Sequence, residues 1–117
     1  MYTLIGYKKC STCKNAENYL KDKGIDYVYR NIKEDNPKEE ELKEYIKLSG
    51  KDIKSFFNTS GLVYRSLNLK EKLSTMSFDE KIKLLASDGM LVKRPILLFN
   101  NKVLVGFKTK EWDNINE

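Results

Sequence analysis

The chain has no histidine among its 117 residues. That excludes imidazole general acid–base catalysis and Cys–His nucleophile pairs, and it removes the usual nitrogen ligands of zinc. Cysteine is nearly absent too: Cys10 and Cys13 are the two in the chain. A tetrahedral zinc site would need about two further ligands, which this chain does not offer as Cys or His. Zinc shared between chains and simple burial of the two thiols are the alternatives to a redox pair. Proline and glycine are scarce, at two and six residues, unlike a disordered or fibrous composition. No apolar run approaches the roughly 18 residues of a membrane-spanning helix. The start, Met1-Tyr2-Thr3-Leu4-Ile5-Gly6-Tyr7, has no basic region, long apolar stretch or small-residue cleavage site. The expectation is a cytoplasmic monomer with no membrane partner, in a compartment where stable disulfides are rare.

What remains is ordinary globular material. Basic residues number 22 and acidic residues 17, for a net charge of +5. The signs are interspersed, as on a solvated lysine-rich surface; the alternative is a patch for an anionic partner. The length suits one domain over residues 1–117, able to bury about two-thirds of its unfolded surface.

Residues 2–7 are short, apolar and aromatic, which predicts a buried strand. Residues 10–23 predict a helix, begun by Ser11 and Thr12, with Ala16, Tyr19 and Leu20 on one face and Gly24 as the stop. Residues 25–32 are rich in β-formers. Strand, helix and strand within about 30 residues make a right-handed βαβ unit. Asn36-Pro37 then predicts a helix start with proline in first position, with Glu39, Glu40 and Glu41 in the first turn. Leu42, Tyr45, Ile46 and Ser49 keep helical spacing up to Gly50. Shorter helices are expected over 53–57, 62–67 and 78–86, the last opened by a Ser77/Glu80 capping box. Residues 96–99 and 102–105 form a hairpin across Asn100-Asn101, and 108–115 form a closing helix with Trp112 inward. The fold class is α/β and thioredoxin-like: a four-stranded mixed sheet, three strands compatible with parallel packing and one antiparallel, with a helical insertion over about 36–92.

The chemistry centres on Cys10-Ser11-Thr12-Cys13. A thiol attacks as its thiolate, and the first amides of a helix are unpaired and partly positive. Sulfur at Cys10 is expected against the amides of Ser11, Thr12 and Cys13, with Lys8, Lys9 and Arg94 adding positive charge. Cys13, one turn inside, is expected to be shielded and less acidic. Cys10 is then the attacking thiol and Cys13 the resolving one. Arg94-Pro95 reads either as a loop proline setting the start of strand three or, in a thioredoxin-like frame, as a cis proline facing the cysteines. In the second reading its carbonyl neighbourhood pairs with substrate backbone, and Arg94 forks onto an oxyanion, carboxylate or thiolate. The polar turns Asn58-Thr59-Ser60-Gly61 and Ser87-Asp88-Gly89 read as loops, with a partner surface left open.

The segments Tyr7–Ala16, Phe56–Gly61 with Tyr64-Arg65, Leu69–Leu73 and Leu85–Pro95 together resemble the arsenate reductase ArsC/Spx family, in its short Spx-like branch. The resemblance covers essentially the whole chain. It implies a thioredoxin-type domain and two functions. Arsenate reductases of the family attack with a cysteine matching Cys10 and hold the oxyanion with three arginines. Arg94 matches one, Asn58 stands where another would be, and the neighbourhood of Gly106 lacks the third. Such enzymes bind no cofactor and draw electrons from a thiol reductant: thioredoxin, glutaredoxin or glutathione. Spx-type members share the Cys10-x-x-Cys13 pair. They are redox-switched transcription regulators that bind the C-terminal domain of the RNA polymerase alpha subunit, with disulfide formation as the switch.

Overall fold

A short apolar run makes Tyr2–Gly6 a central strand, β1, covered on both faces, with Leu4 facing one side of the sheet and Ile5 the other. The computed structural model describes residues 1–115. Its sheet has the order β2-β1-β3-β4, with β2 at Tyr27–Asn31, β3 at Ile96–Phe99 and β4 at Lys102–Val105. β1 and β2 are parallel, while β3 runs antiparallel to both β1 and β4. Three strands thus share one direction and β3 opposes them, as the sequence predicts.

Two apolar cores lie on opposite faces of this sheet. On one, Leu4, Leu97 and Phe99 meet Ala16 and Leu20 of helix α1 (Ser11–Asp22) and Trp112 of α6 (Thr109–Trp112). On the other, Ile5, Ile96, Val103 and Val105 meet Leu42, Tyr45 and Ile46 of α2 (Glu39–Ser49) and Ile82 and Leu85 of α5 (Phe78–Ser87). Between α2 and α5 lie α3 (Leu62–Ser66), α4 (Leu69–Lys72) and 3₁₀ turns at Ile53–Phe56 and Leu73–Thr75; a third turn, Gly89–Leu91, follows α5. No described helix is long and apolar enough to cross a membrane.

Local chemistry accounts for most boundaries. Asn100 and Asn101 both take positive φ, 45° and 59°, as a tight hairpin turn requires. Ser77 and Glu80 cap α5 reciprocally, at 3.1 and 2.9 Å. Two expected boundaries are corrected. The closing helix expected over 108–115 is limited to Thr109–Trp112. Pro37 is not the first residue of α2, which begins at Glu39. Asn36 is drawn away instead: its Nδ2 donates to the carbonyls of Ala86 (2.8 Å) and Leu85 (3.3 Å) at the end of α5. The helix is closed by Glu41, which accepts the Lys38 amide at 2.9 Å.

Glu41 also binds Arg30 of β2 in a fork, at 2.7 and 3.0 Å. The Arg30 guanidinium, chiefly by these hydrogen bonds, holds the Glu41 carboxyl down at about 2. A depressed folded-state pKa gives stability that is complete above the ordinary carboxylate range and is lost as pH falls through it. Glu41 is about a third open to water (36% side-chain exposure), so screening trims the expected contribution to about 1–2 kcal/mol. Urea midpoints taken between about pH 6 and about pH 3, across the ordinary carboxylate range, should fall less steeply in Arg30→Met than in the natural sequence. Parallel slopes would refute a stabilising role for the pair.

Candidate active site

The turn after β1 carries the chain from the sheet into α1. The Cys10 amide donates to the Tyr7 carbonyl at 3.0 Å, and the Lys14 amide to the Cys10 carbonyl at 3.1 Å. Cys10 itself is the cap: its Sγ accepts the Cys13 amide at 3.3 Å. The sequence reading gave the start to Ser11 and Thr12, the stronger cap formers. They instead occupy the first helical positions, where they line a cleft. Both cysteines are free thiols, Cys10 half-buried and Cys13 fully buried. Burial, followed by the hydrogen bond with Cys10, pushes the Cys13 thiol up to about 12. Arg94 pulls in the opposite direction as a smaller contribution. The pair is therefore asymmetric in access: one sulfur at the cleft, one behind it.

Arg94 lines the same cleft and is joined to Pro95 by a cis peptide bond. The Arg94 Nη1 donates to the Val92 carbonyl at 3.2 Å, and its guanidinium lies 5.5 Å from the Tyr7 ring centre. Its Nε is buried and carries no hydrogen bond. Pro95 sits deeper. It is buried, and its carbonyl accepts the Gly106 amide at 2.8 Å. That oxygen takes one hydrogen bond within the fold.

The cleft has a volume of about 660 Å³. Cys10, Ser11 and Thr12 form its floor, and Arg94, Lys9, Lys93 and Lys108 make it cationic, with no acidic residue in its lining. Lys8 lies over the Tyr29 ring, 4.3 Å from its centre, and is not among the residues that line the cleft. Lys93 and Lys108 were not picked out from sequence, since nothing local separates them from other surface lysines. The Asn58–Gly61 turn forms one rim, followed by Leu62, which is 78% exposed. Asn58 serves that rim: its Nδ2 reaches the Met90 carbonyl at 3.4 Å and its Oδ1 accepts from Ser60. Among the described residues no group of three or more His, Cys, Asp or Glu could hold a metal ion.

The ArsC family model matches residues 5–115. The chain is 50% identical to the protein YusI of Bacillus subtilis, over 95% of this chain and 94% of that one. It is 26% identical to the global transcriptional regulator Spx 2 of Bacillus anthracis, over 95% of this chain and 83% of that one. The solved structure of an ArsC family related protein from Bacteroides fragilis superposes with a TM-score of 0.95 at 49% identity, covering 97% of this chain and 96% of that one.

Proposed function

The chain belongs to the ArsC family, and from that membership we propose that it is a thiol-dependent oxidoreductase acting on anionic substrates. The observation that carries the reading is the placement of Cys10, its sulfur on a helix-start amide and at the floor of a cationic cleft, with Cys13 buried one turn behind. Cys10 attacks one sulfur of a substrate disulfide. A Cys10–substrate disulfide forms and the other substrate sulfur leaves as a thiolate. Cys13 then loses its proton and attacks the Cys10 sulfur. The internal disulfide forms, and the second substrate thiolate departs with the electron pair of the broken bond. Arg94 and the cleft lysines hold the substrate's negative charge. Thioredoxin, glutaredoxin or glutathione, as an external thiol reductant, returns the pair to dithiol in the cytoplasm.

The lining of the cleft also favours a disulfide over a bare oxyanion, since Arg94 is the one arginine among the described residues in it. The family's arsenate reductases hold theirs with three arginines, of which Arg94 matches one. The test is turnover of arsenate and of glutathione mixed disulfides, each coupled to thioredoxin and to glutathione. Cys10→Ser should cost about a thousandfold or more; activity equal to that of the natural sequence would overturn the assignment.

The likeness to Spx 2 favours a second reading, a redox-switched regulator of RNA polymerase. The reduction potential separates the two. A dithiol couple near that of thioredoxin, about −270 mV, fits a turning-over reductase. A much more oxidising couple, with capture of the polymerase alpha C-terminal domain by one redox state, fits the switch.

A further inference from the structure

Tyr29 differs from the other tyrosines packed around α1. Tyr2 donates to the Ile115 carbonyl at 2.8 Å, Tyr19 to Asp113 at 2.6 Å and Tyr27 to Glu17 at 2.7 Å. The Tyr29 hydroxyl is buried and has no hydrogen-bond partner. Buried hydroxyls are nearly always satisfied, so an unpaired one needs a reason.

Its surroundings supply one. A Cβ placed on Gly6 would lie 3.1 Å from the Tyr29 oxygen and 3.2 Å from the Cys13 sulfur. Glycine at position 6 thus keeps open a gap bordered by the phenol on one side and the buried thiol on the other. Lys8 lies over the Tyr29 ring. Burial first, and the neighbouring Cys13 next, push the phenol up to about 12, so at neutral pH it carries its proton and can donate it in a hydrogen bond.

We infer that Tyr29 is a positioning residue for Cys13, its hydroxyl donating across the Gly6 gap to the Cys13 sulfur when that sulfur becomes a thiolate. The inference rests on the proposed role of Cys13 as resolving thiol. In the resting dithiol the hydroxyl stays unpaired, and Cys13 is a thiol. As the Cys13 proton leaves, the sulfur turns into a strong acceptor and the hydroxyl gains its partner. An interaction made only as the attacking species forms accelerates that step without tightening the ground state.

An aromatic disulfide, dithiobis(nitrobenzoate), resolves the two steps at one equivalent of reagent. Attack by Cys10 gives the Cys10–thionitrobenzoate mixed disulfide and releases one coloured thionitrobenzoate anion. Attack by Cys13 forms the Cys10–Cys13 disulfide and releases the second. In Tyr29→Phe the first release should keep its rate and the second should slow about tenfold, the size expected for a lost hydrogen bond to a charged group. Gly6→Ala, which fills the gap, should slow the second release as well. Tyr27→Phe, which removes a comparable hydroxyl bonded elsewhere, should change neither. An unchanged second release in Tyr29→Phe, or equal slowing of both, overturns the inference and leaves Cys13 as the resolving thiol. Release of a single equivalent by the natural sequence would instead overturn the role of Cys13, and the inference with it.

Discussion

Gly89→Ala should unfold the protein far more readily than any other single-methyl addition among its glycines. An added Cβ would overlap the Ile32 carbonyl oxygen, lie 2.9 Å from its carbon and 3.2 Å from Asn36 Oδ1. The first two are backbone atoms, which cannot turn aside as a side chain does. Ile32 follows β2, and its amide is tied to the Gly6 carbonyl at 2.9 Å. On the other side the segment is equally held. Asp88 caps the Met90 amide at 2.8 Å, the Leu91 carbonyl accepts from Asn58, and the Lys93 amide donates to the Phe56 carbonyl at 2.7 Å. With neither side able to give, the expected cost is about 3 kcal/mol or more. Gly24→Ala is the control. Nothing lies within 4 Å of its added Cβ, so only its left-handed backbone counts, at about 1 kcal/mol. Urea midpoints compare the two. A loss below that of Gly24→Ala would show that the backbones at 32 and 89 can separate. Because residues 89–93 lead into Arg94, Gly89→Ala should also blunt the reactivity of Cys10 at denaturant concentrations where the chain is still folded.

Trp112→Ala is the second large effect. The indole is fully buried, and its Nε1 donates to the Gly106 carbonyl at 3.2 Å. Phe107 and Tyr19 pack edge-on against it, with centres at 4.8 and 5.9 Å. Tyr19 belongs to α1, and Gly106 and Phe107 line the cleft. Truncation removes the filling of the α1-side core and leaves the Gly106 carbonyl without that donor. Large-to-small changes of this kind cost about 3–5 kcal/mol. Trp112→Phe should retain much of the packing and lose about 1–2 kcal/mol, much of it from the missing hydrogen bond. Calorimetry distinguishes the pair, since the chain's sole tryptophan is removed in both and its fluorescence is lost. A melting temperature for Trp112→Ala within a degree or two (roughly the shift of a small fraction of 1 kcal/mol) of the natural one would mean that the α1-side core does not depend on the indole.

Features set by neighbours in sequence were legible before the structure. The strand–turn–helix around Cys10, the Asn100-Asn101 hairpin, the Ser77/Glu80 box and the inward Trp112 all follow from residues within one turn of each other. Features set by distant chain were not. Asn36 looked like a helix start because the carbonyls of Leu85 and Ala86 that claim its side chain lie about fifty positions on. Sulfur is a weak acceptor, so cap statistics favoured Ser11 and Thr12 over Cys10. The alternation of Tyr27 and Tyr29 told which face they share, but not that Gly6 leaves a gap before one of them. Lys93 and Lys108 join Lys9 and Arg94 only when β4 folds back beside β3, and charge counting cannot show that convergence.

The two-faced sheet separates the sulfur pair from the rim of its cleft. The thiols ride on α1, whose packing is with Leu4, Leu97 and Trp112 on one face. Much of the cleft's rim, from Asn58 to Val63 and at Met90, is supplied by the segment anchored to the other face. Substitutions on opposite sides of a sheet, without shared contacts, act nearly additively. Heritable change in the rim can therefore reshape the cleft while the sulfur pair keeps its geometry.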